Sequence, residues 1–410
     1  MSHSLPSVRI PLRLPSAVAT FGIGIAGYLG VNLSPYMIAA AQSALEVDVL
    51  TASWLVTGTL LLTAVTGLAT AKPSAGPHRL LVARVGLIVA AAGFGAAALV
   101  PTPWIVVAGL LVGGIGAGGA VSSSGAALAA FINPDRVAGF NGLANRAIVT
   151  VILALVPLLP LVPISVFGTL ALFALVVLFA SAWLPSAPVV EHAAAPAGAA
   201  ASDVVTRRPH RAETIAGFVL LGTFALWAVS EDSLWAMAGV MGADQAALTP
   251  EGLGIALSGA TAGGIVGAIL LMIVGDRLGR AVPLAILLAA GGVLKIAEGF
   301  VTDPTVFIVV FIAWNTVYAI AFLYFVSTAA ALDADGRWSG PLLAVYLVGS
   351  ALTPVIGAAL VESFGYQGFT VVLGVASFAL AVPAFLVARI STRLQRTEEP
   401  AAAVVEGVNA

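Results

Sequence analysis

Two adjacent carboxylates, Glu231 and Asp232, stand deep in a long apolar run, residues 215–240. A charge in such surroundings is costly unless it serves a purpose, so the pair marks a place where a cationic group or a proton is handled. Aromatic and amide side chains surround it at helical spacing. Thr223, Trp227, Glu231 and Trp235 recur every four residues and so share one helix face, as do Tyr28, Asn32 and Tyr36. Trp314, Asn315, Tyr318 and Phe322 gather on one side of another apolar run. Two blander readings stand beside these. Trp235 suits an interfacial aromatic belt, and Glu231 becomes an outer-loop charge if its helix ends early. Arg146, with Asn141 and Asn145 beside it, either snorkels to the membrane surface or anchors an anionic group. Lys295 and Glu298, three apart, are expected to pair with each other.

The scaffold for these residues must be embedded in lipid. The chain has 410 residues, 60% of them hydrophobic and 9% charged, where a soluble domain carries about 25% charged residues. A membrane helix needs roughly 20 consecutive apolar residues. The qualifying stretches of the first half are Ala17–Ala40, Leu50–Ala69, Leu80–Val100, Ile105–Phe131, Val137–Leu159 and Val162–Leu184. Those of the second are Ile215–Val240, Leu253–Val274, Val282–Val301, Val306–Leu332, Leu342–Val361 and Phe369–Ile390. The expected fold is therefore an all-α membrane protein of about twelve spans. The first stretch is too long for a cleaved signal peptide and lacks a small-residue cleavage site. Gly109, Gly113, Gly116 and Ala120 form a small-residue stripe in the fourth span that suits close helix packing. The hydroxyls of Ser122, Ser123 and Ser124, next along that span, are expected to bond to the helix backbone.

Charge fixes the expected orientation. With the amino terminus in the cytoplasm, Arg9, Arg13, Lys72, Arg79, Arg136, Arg207, Arg208, Arg211, Arg280, Arg337 and Arg393 all fall on the cytoplasmic side. The opposite loops carry Glu46, Asp48, Asp244, Glu251, Asp303 and Glu362. This is the inside-positive pattern, so both termini are expected to be cytoplasmic, in the cell (inner) membrane. Residues 185–214 are rich in Ala and Pro and read as a flexible cytoplasmic linker. The expected organisation is a tail at 1–16, six helices over 17–184, the linker at 185–214, six helices over 215–390 and a tail at 391–410. Two equal sets of six suggest a duplication, with a binding site between them near the midplane.

Asp276-Arg277-Leu278-Gly279-Arg280, between the eighth and ninth spans, together with the six-plus-six layout, resembles the major facilitator superfamily. The family's loop signature has a glycine, three residues and then Asp-Arg-x-Gly-Arg; the leading position here is Met272. The matching first-half loop keeps Gly67 and Lys72 but has Ala71 at the acidic position. Physically, Gly279 permits a tight turn, Asp276 can accept hydrogen bonds from a neighbouring helix, and Arg277 and Arg280 suit acidic groups or lipid phosphate. The cluster reads as a gating latch, against the simpler reading that two arginines obey the charge bias. The resemblance implies a secondary transporter, with spans one, four, seven and ten lining a central cavity. On those spans and the fifth, the cavity candidates are Tyr28, Asn32, Tyr36, Trp227, Glu231, Trp314, Asn315, Tyr318 and Arg146, with Glu231 and Asp232 as proton-coupling candidates. The family's proton-driven drug exporters carry an arginine where the fourth span here has Gly109. Their glycine- and proline-rich fifth-span signature is also missing from Val149–Pro157.

Several function classes recede. The net charge of −2 argues against a nucleic-acid partner. There is no G-x-x-x-x-G-K-[ST] loop, so the motor is expected to be an ion or solute gradient. Cysteine is absent, and the four histidines (His3, His78, His192, His210) lie in tails or loops. An intramembrane enzyme, the rival of another class, would therefore have few groups to work with. No cofactor and no metal are expected. The expected partners are a small organic solute, a proton and membrane lipid, with the protein a monomer. Proton-linked transport and facilitated uptake without coupling remain open alternatives.

Overall fold

The computed structural model describes residues 10–186, 211–274, 279–332 and 338–408. Asp276 and Arg277 lie outside the described residues, as does most of the linker. The described chain is helical: α1 (Leu14–Asn32), α2 (Ser34–Leu45), α3 (Val49–Ala69), α4 (Ala71–Ala75), α5 (Arg79–Leu99), α6 (Pro103–Leu128), α7 (Pro134–Leu155) and α8 (Pro163–Ala180) precede the linker. After it come α9 (Arg211–Ala246), α10 (Pro250–Val274), α11 (Ala281–Glu298), α12 (Pro304–Leu332) and α13 (Ser339–Val408).

Eleven helical segments among the described residues are long and apolar enough to cross a membrane. The last, Val345–Arg393, has 49 residues, which at about 1.5 Å each is more than twice a hydrocarbon core of about 30 Å. It is broken at Gly365, whose φ of 66° and ψ of 177° no helix adopts. Counted as two crossings, it completes twelve. Val65, Ile88, Leu172, Phe179, Phe218 and Ile286 are all exposed on the outer surface. Side chains of this kind face lipid at little cost, and the protein is a multi-pass integral membrane protein.

The first span departs from the expected single helix. It breaks at Leu33, between α1 and α2. Pro35 explains the break: its ring lacks an N–H and crowds the carbonyl one turn back, that of Val31. The small-residue stripe of α6 lies against α5, where a Cβ added at Gly113 would stand 2.5 Å from the Phe94 ring. Ser123 Oγ bonds to the Gly119 carbonyl at 2.7 Å, as expected. Ser122 also meets Thr70 Oγ1 at 2.7 Å and Ser74 Oγ at 2.9 Å, holding α4 against α6.

The basic side chains Arg13, Lys72, Arg79, Arg136, Arg280 and Arg393 stand at one end of the helices, and Glu46, Asp48, Asp244, Glu251 and Asp303 at the other. These ends are called the basic and acidic faces below. At the acidic face Asp48 caps α3, its Oδ1 accepting the Thr51 N–H at 2.7 Å, which holds its carboxyl below the usual range. Asp303 caps α12 in the same way through Thr305 and Val306.

The helices before the linker pack mainly on one another, as do those after it, and the main pairings that join them are α7 on α10, α3 on α13 and α2 on α9. Toward the acidic face these joints are tight. Trp235 Nε1 donates to the Asn32 carbonyl at 3.1 Å, and Val355 N donates to Thr57 Oγ1 at 3.1 Å. Toward the basic face a cavity of about 420 Å³ lies between α3, α6 and α13, lined by Thr63, Gly67, Ser122, Gly125 and Leu347 among others.

Candidate functional site

Ser230, Glu231 and Asp232 follow one another on α9, so their side chains fan out at about 100° per residue. α9 continues to Ala246, and both carboxylates are buried. Glu231 is therefore not an outer-loop charge. Trp235 is buried too and bonds across the joint to Asn32, so it is not an interfacial belt residue.

Glu231 points into the second half. Lys295 Nζ, on α11, donates to Glu231 Oε1 at 2.7 Å, to Ser230 Oγ at 2.8 Å and to Ser377 Oγ at 2.6 Å. Trp314 Nε1 donates to Glu231 Oε2 at 2.6 Å. All three ammonium protons have acceptors and both carboxylate oxygens have donors. That satisfaction is what a buried ion pair requires to persist. This corrects the expected pairing of Lys295 with Glu298. The lysine stem reaches across to three acceptors on α9 and α13, more than its own helix offers three residues on. Glu298 is buried, and neither carboxyl oxygen has a hydrogen-bond partner among the described residues.

Asp232 faces elsewhere. Ser350 Oγ, on α13, donates to its Oδ2. The side chains of Tyr346 and Tyr318 approach the same carboxyl, and their hydroxyls are 2.9 Å apart. Trp227 stacks on Tyr318 at 5.2 Å between ring centroids, and Phe224 and Phe325 pack against Trp227 at 5.7 and 4.9 Å. The carboxyl thus stands at the edge of an aromatic wall.

Arg146 approaches the same tyrosines from the first half. Its guanidinium fills a notch in α10 where Gly264 has no side chain; any Cβ there would collide with Nη1. One turn further along α7, Thr150 Oγ1 meets Thr261 Oγ1 of α10 at 2.7 Å. Arg146 therefore reaches into the opposite half instead of snorkelling to the surface.

The remaining candidates are scattered. Tyr36 is buried with its hydroxyl donating to the Leu153 carbonyl of α7 at 2.8 Å. Asn32 Nδ2 donates to the Tyr28 carbonyl within α1 at 3.1 Å, and the break at Leu33 separates both from the line of Tyr36. Asn315 is buried on α12. Among the gating residues, Gly279 has a φ of +64°, the left-handed conformation that glycine tolerates. Arg280 Nε donates to Ser327 Oγ of α12 at 2.8 Å. Tyr346, Ser350 and Ser377 were missed from the sequence. Tyr346 and Ser350 are four apart in an apolar span, the same signal that marked Tyr28 and Asn32.

No family model and no curated protein matches the sequence. Solved structures do match. One is a bacterial homologue of the human drug peptide transporters PepT1 and PepT2, with a TM-score of 0.71 and 14% identity over 93% of this chain and 99% of that one. A D-xylose–proton symporter matches with a TM-score of 0.68 and 14% identity, over 90% of this chain and 95% of that one. The nucleoside transporter NupG matches with a TM-score of 0.67 and 14% identity, over 92% and 99%. The class defined by helices, joints and buried charges is thus clear at the level of fold. The chain has the fold of major facilitator superfamily transporters over nearly its whole length.

Proposed function

We propose that the protein is a secondary transporter that carries a small organic solute across the cell membrane by alternating access, linked to the movement of protons. The basic face is the cytoplasmic one, with both termini there. One observation carries the coupling: Asp232 is a buried carboxyl set beside Tyr318 and Tyr346, the two tyrosines whose surroundings also include the Arg146 guanidinium of the other half. A carboxyl in such a place changes its hydrogen bonds when it gains or loses a proton, and each change alters contacts on both sides of the joint. Asp232 is the first coupling group, and Glu231 acts behind it through Lys295. Asp232 suits a cationic or zwitterionic solute, Arg146 an anionic group, and Trp227 an apolar portion. The sealed acidic side and the cavity toward the basic face support a state closed on one side only, as alternating access requires.

The test uses purified protein in liposomes with an imposed pH gradient and a panel of cationic, zwitterionic and anionic metabolites. The wild type should accumulate a solute when the gradient is imposed. Asp232→Asn should lose that accumulation and keep solute counterflow. If pH-driven accumulation is unchanged in Asp232→Asn and in Glu231→Gln, the coupling assignment is wrong. Counterflow with no response to pH in the wild type would leave a facilitator.

A further inference from the structure

Glu298 is the last residue of α11 and has no exposed surface, yet neither oxygen of its carboxyl has a hydrogen-bond partner among the described residues. Beside it, Gln245 of α9 donates from Nε2 to the carbonyls of Glu298 and Val301 at 2.8 and 2.6 Å, while Gln245 Oε1 is buried without a partner. An ionised carboxylate with no donor at all would bear its full desolvation cost. Lys295 lies three residues earlier on the same buried face of α11, with its ammonium engaged by Glu231. It is the only buried lysine or arginine after the linker among the described residues.

Away from the basic face, where Glu213 of α9, Tyr324 of α12 and Arg389 and Arg393 of α13 lie, the titratable side chains on the surrounding elements are few. α9 carries Glu231, Asp232 and Asp244, the last accepting the Tyr366 hydroxyl at 2.6 Å. α12 carries Tyr318, and Asp303 caps its start. α13 carries Tyr346, Glu362 and Tyr366. None of these supplies Glu298 with a second cation.

We propose that Glu298 is a further proton-binding site, and that Lys295 is shared between Glu298 and Glu231, so that one proton always resides on the carboxyl the lysine leaves. In the first state, which has the Lys295–Glu231 contact of the structure, Lys295 is an ammonium on Glu231 and Glu298 holds the proton. In the exchanged state the ammonium faces ionised Glu298 and the proton is on Glu231. One O–H bond breaks at Glu298 and one forms at Glu231. The three groups carry no net charge in either state. The exchange moves a proton from near the acidic face to the neighbour of Asp232, inside the second half. Its place in a transport cycle rests on the proton-linked reading above, but the protonation pattern does not.

The test reads protonation directly by infrared spectroscopy of the purified protein in lipid nanodiscs at neutral pH. The carbonyl stretch of a protonated carboxylic acid should be present in the wild type. It should shift when glutamate carboxyls are isotopically labelled, a measurement that needs no variant. It should be lost in Glu298→Gln. It should also be lost in Glu231→Gln, because Lys295 then turns to Glu298 and ionises it. It should return in the double variant Glu231→Gln with Lys295→Met, where no cation remains to be shared. A wild-type spectrum with no glutamate-labelled band, or a band that survives Glu298→Gln, removes the proton site. A glutamate band unchanged in Glu231→Gln removes the sharing. Loss of pH-driven transport with this pattern intact would count against the transport reading alone.

Discussion

The seal on the acidic side can be weakened without touching the buried charges. Trp235→Phe removes the hydrogen bond to the Asn32 carbonyl while keeping a ring beside Phe311, whose centroid is 5.9 Å away. Thr57→Val removes the acceptor of the Val355 N–H at nearly constant volume. Each bond contributes a net of about 0.5–1.5 kcal/mol. Both cross between the halves, so each loss falls on the state closed at the acidic face and not on the state open there. At 1.4 kcal/mol per decade, one substitution should shift the equilibrium toward acidic-side opening by roughly 2- to 12-fold. The two together should shift it by roughly 5- to 140-fold if they act independently. A reporter is available because the chain has no cysteine. Ser53 lies one turn before Thr57 on α3, is fully buried, and its hydroxyl has no partner among the described residues, so Ser53→Cys is a near-isosteric probe. In liposomes, alkylation of this thiol by a membrane-impermeant maleimide should speed up by those factors in the single and double variants. An alkylation rate unchanged in the double variant, with the protein monodisperse, would show that these bonds do not hold the gate.

Further outcomes follow from the charges and the packing. A cysteine introduced at Ser202 should be labelled by an impermeant reagent in inverted vesicles and not in intact cells; strong labelling of intact cells would reverse the assigned orientation. Lys295→Met should destabilise the folded protein by about 3–5 kcal/mol in denaturant unfolding, and adding Glu231→Gln should recover most of that; an equal loss in the double variant would mean that packing, not charge, is at stake. Asp276→Asn should slow turnover and spare solute affinity, and should raise the basic-face accessibility of cysteines on α7; wild-type turnover would mean that another contact closes that side. Gly264→Ala should expel the Arg146 guanidinium from its notch and weaken counterflow of an anionic solute more than that of a cationic one, and equal effects on both would separate Arg146 from solute charge.

The spans could be read from the sequence because lipid leaves a chain little choice: each crossing takes about 20 apolar residues, and the backbone must bond to itself. The burial of Glu231 and Asp232 was one of two readings, because the sequence left open where their helix ends, and α9 runs on to Ala246. The break at Leu33 was legible in principle, since Pro35 stands in the first span and proline removes a helical donor. Partner choice was not. Local spacing favours Lys295 with Glu298, and no periodicity connects Lys295 with Glu231, which is 64 residues away. What decides the pairing is the set of acceptors brought together by tertiary packing: Ser230 and Glu231 from α9 and Ser377 from α13. The notch at Gly264 was equally hidden, because a glycine in a membrane helix signals close approach without saying to what.

The adjacency of Glu231 and Asp232 bears on how a local proton could move large elements. Through Glu231, α9 is tied to α11 by Lys295 and to α12 by Trp314, and Ser377 links the same ammonium to α13. With Lys295 on Glu231 these bonds are buried, charge-assisted and complete, so in this state the four helices resist shear among themselves. Asp232, the next residue, turns toward Ser350 and toward the tyrosines that Arg146 approaches from the other half. Trp235, three residues on, holds Asn32 at the break in the first span. A rearrangement at Asp232 therefore acts on a helix that yields little within its own half. The elements across the joint are the short α2 beyond the Leu33 break, and α7, which packs along α10 with the Arg146 notch and the Thr150–Thr261 hydroxyl pair within the contact. A change of hydrogen bonding at Asp232 would therefore be felt at the joint between the halves, which is what the proposed proton linkage requires of it.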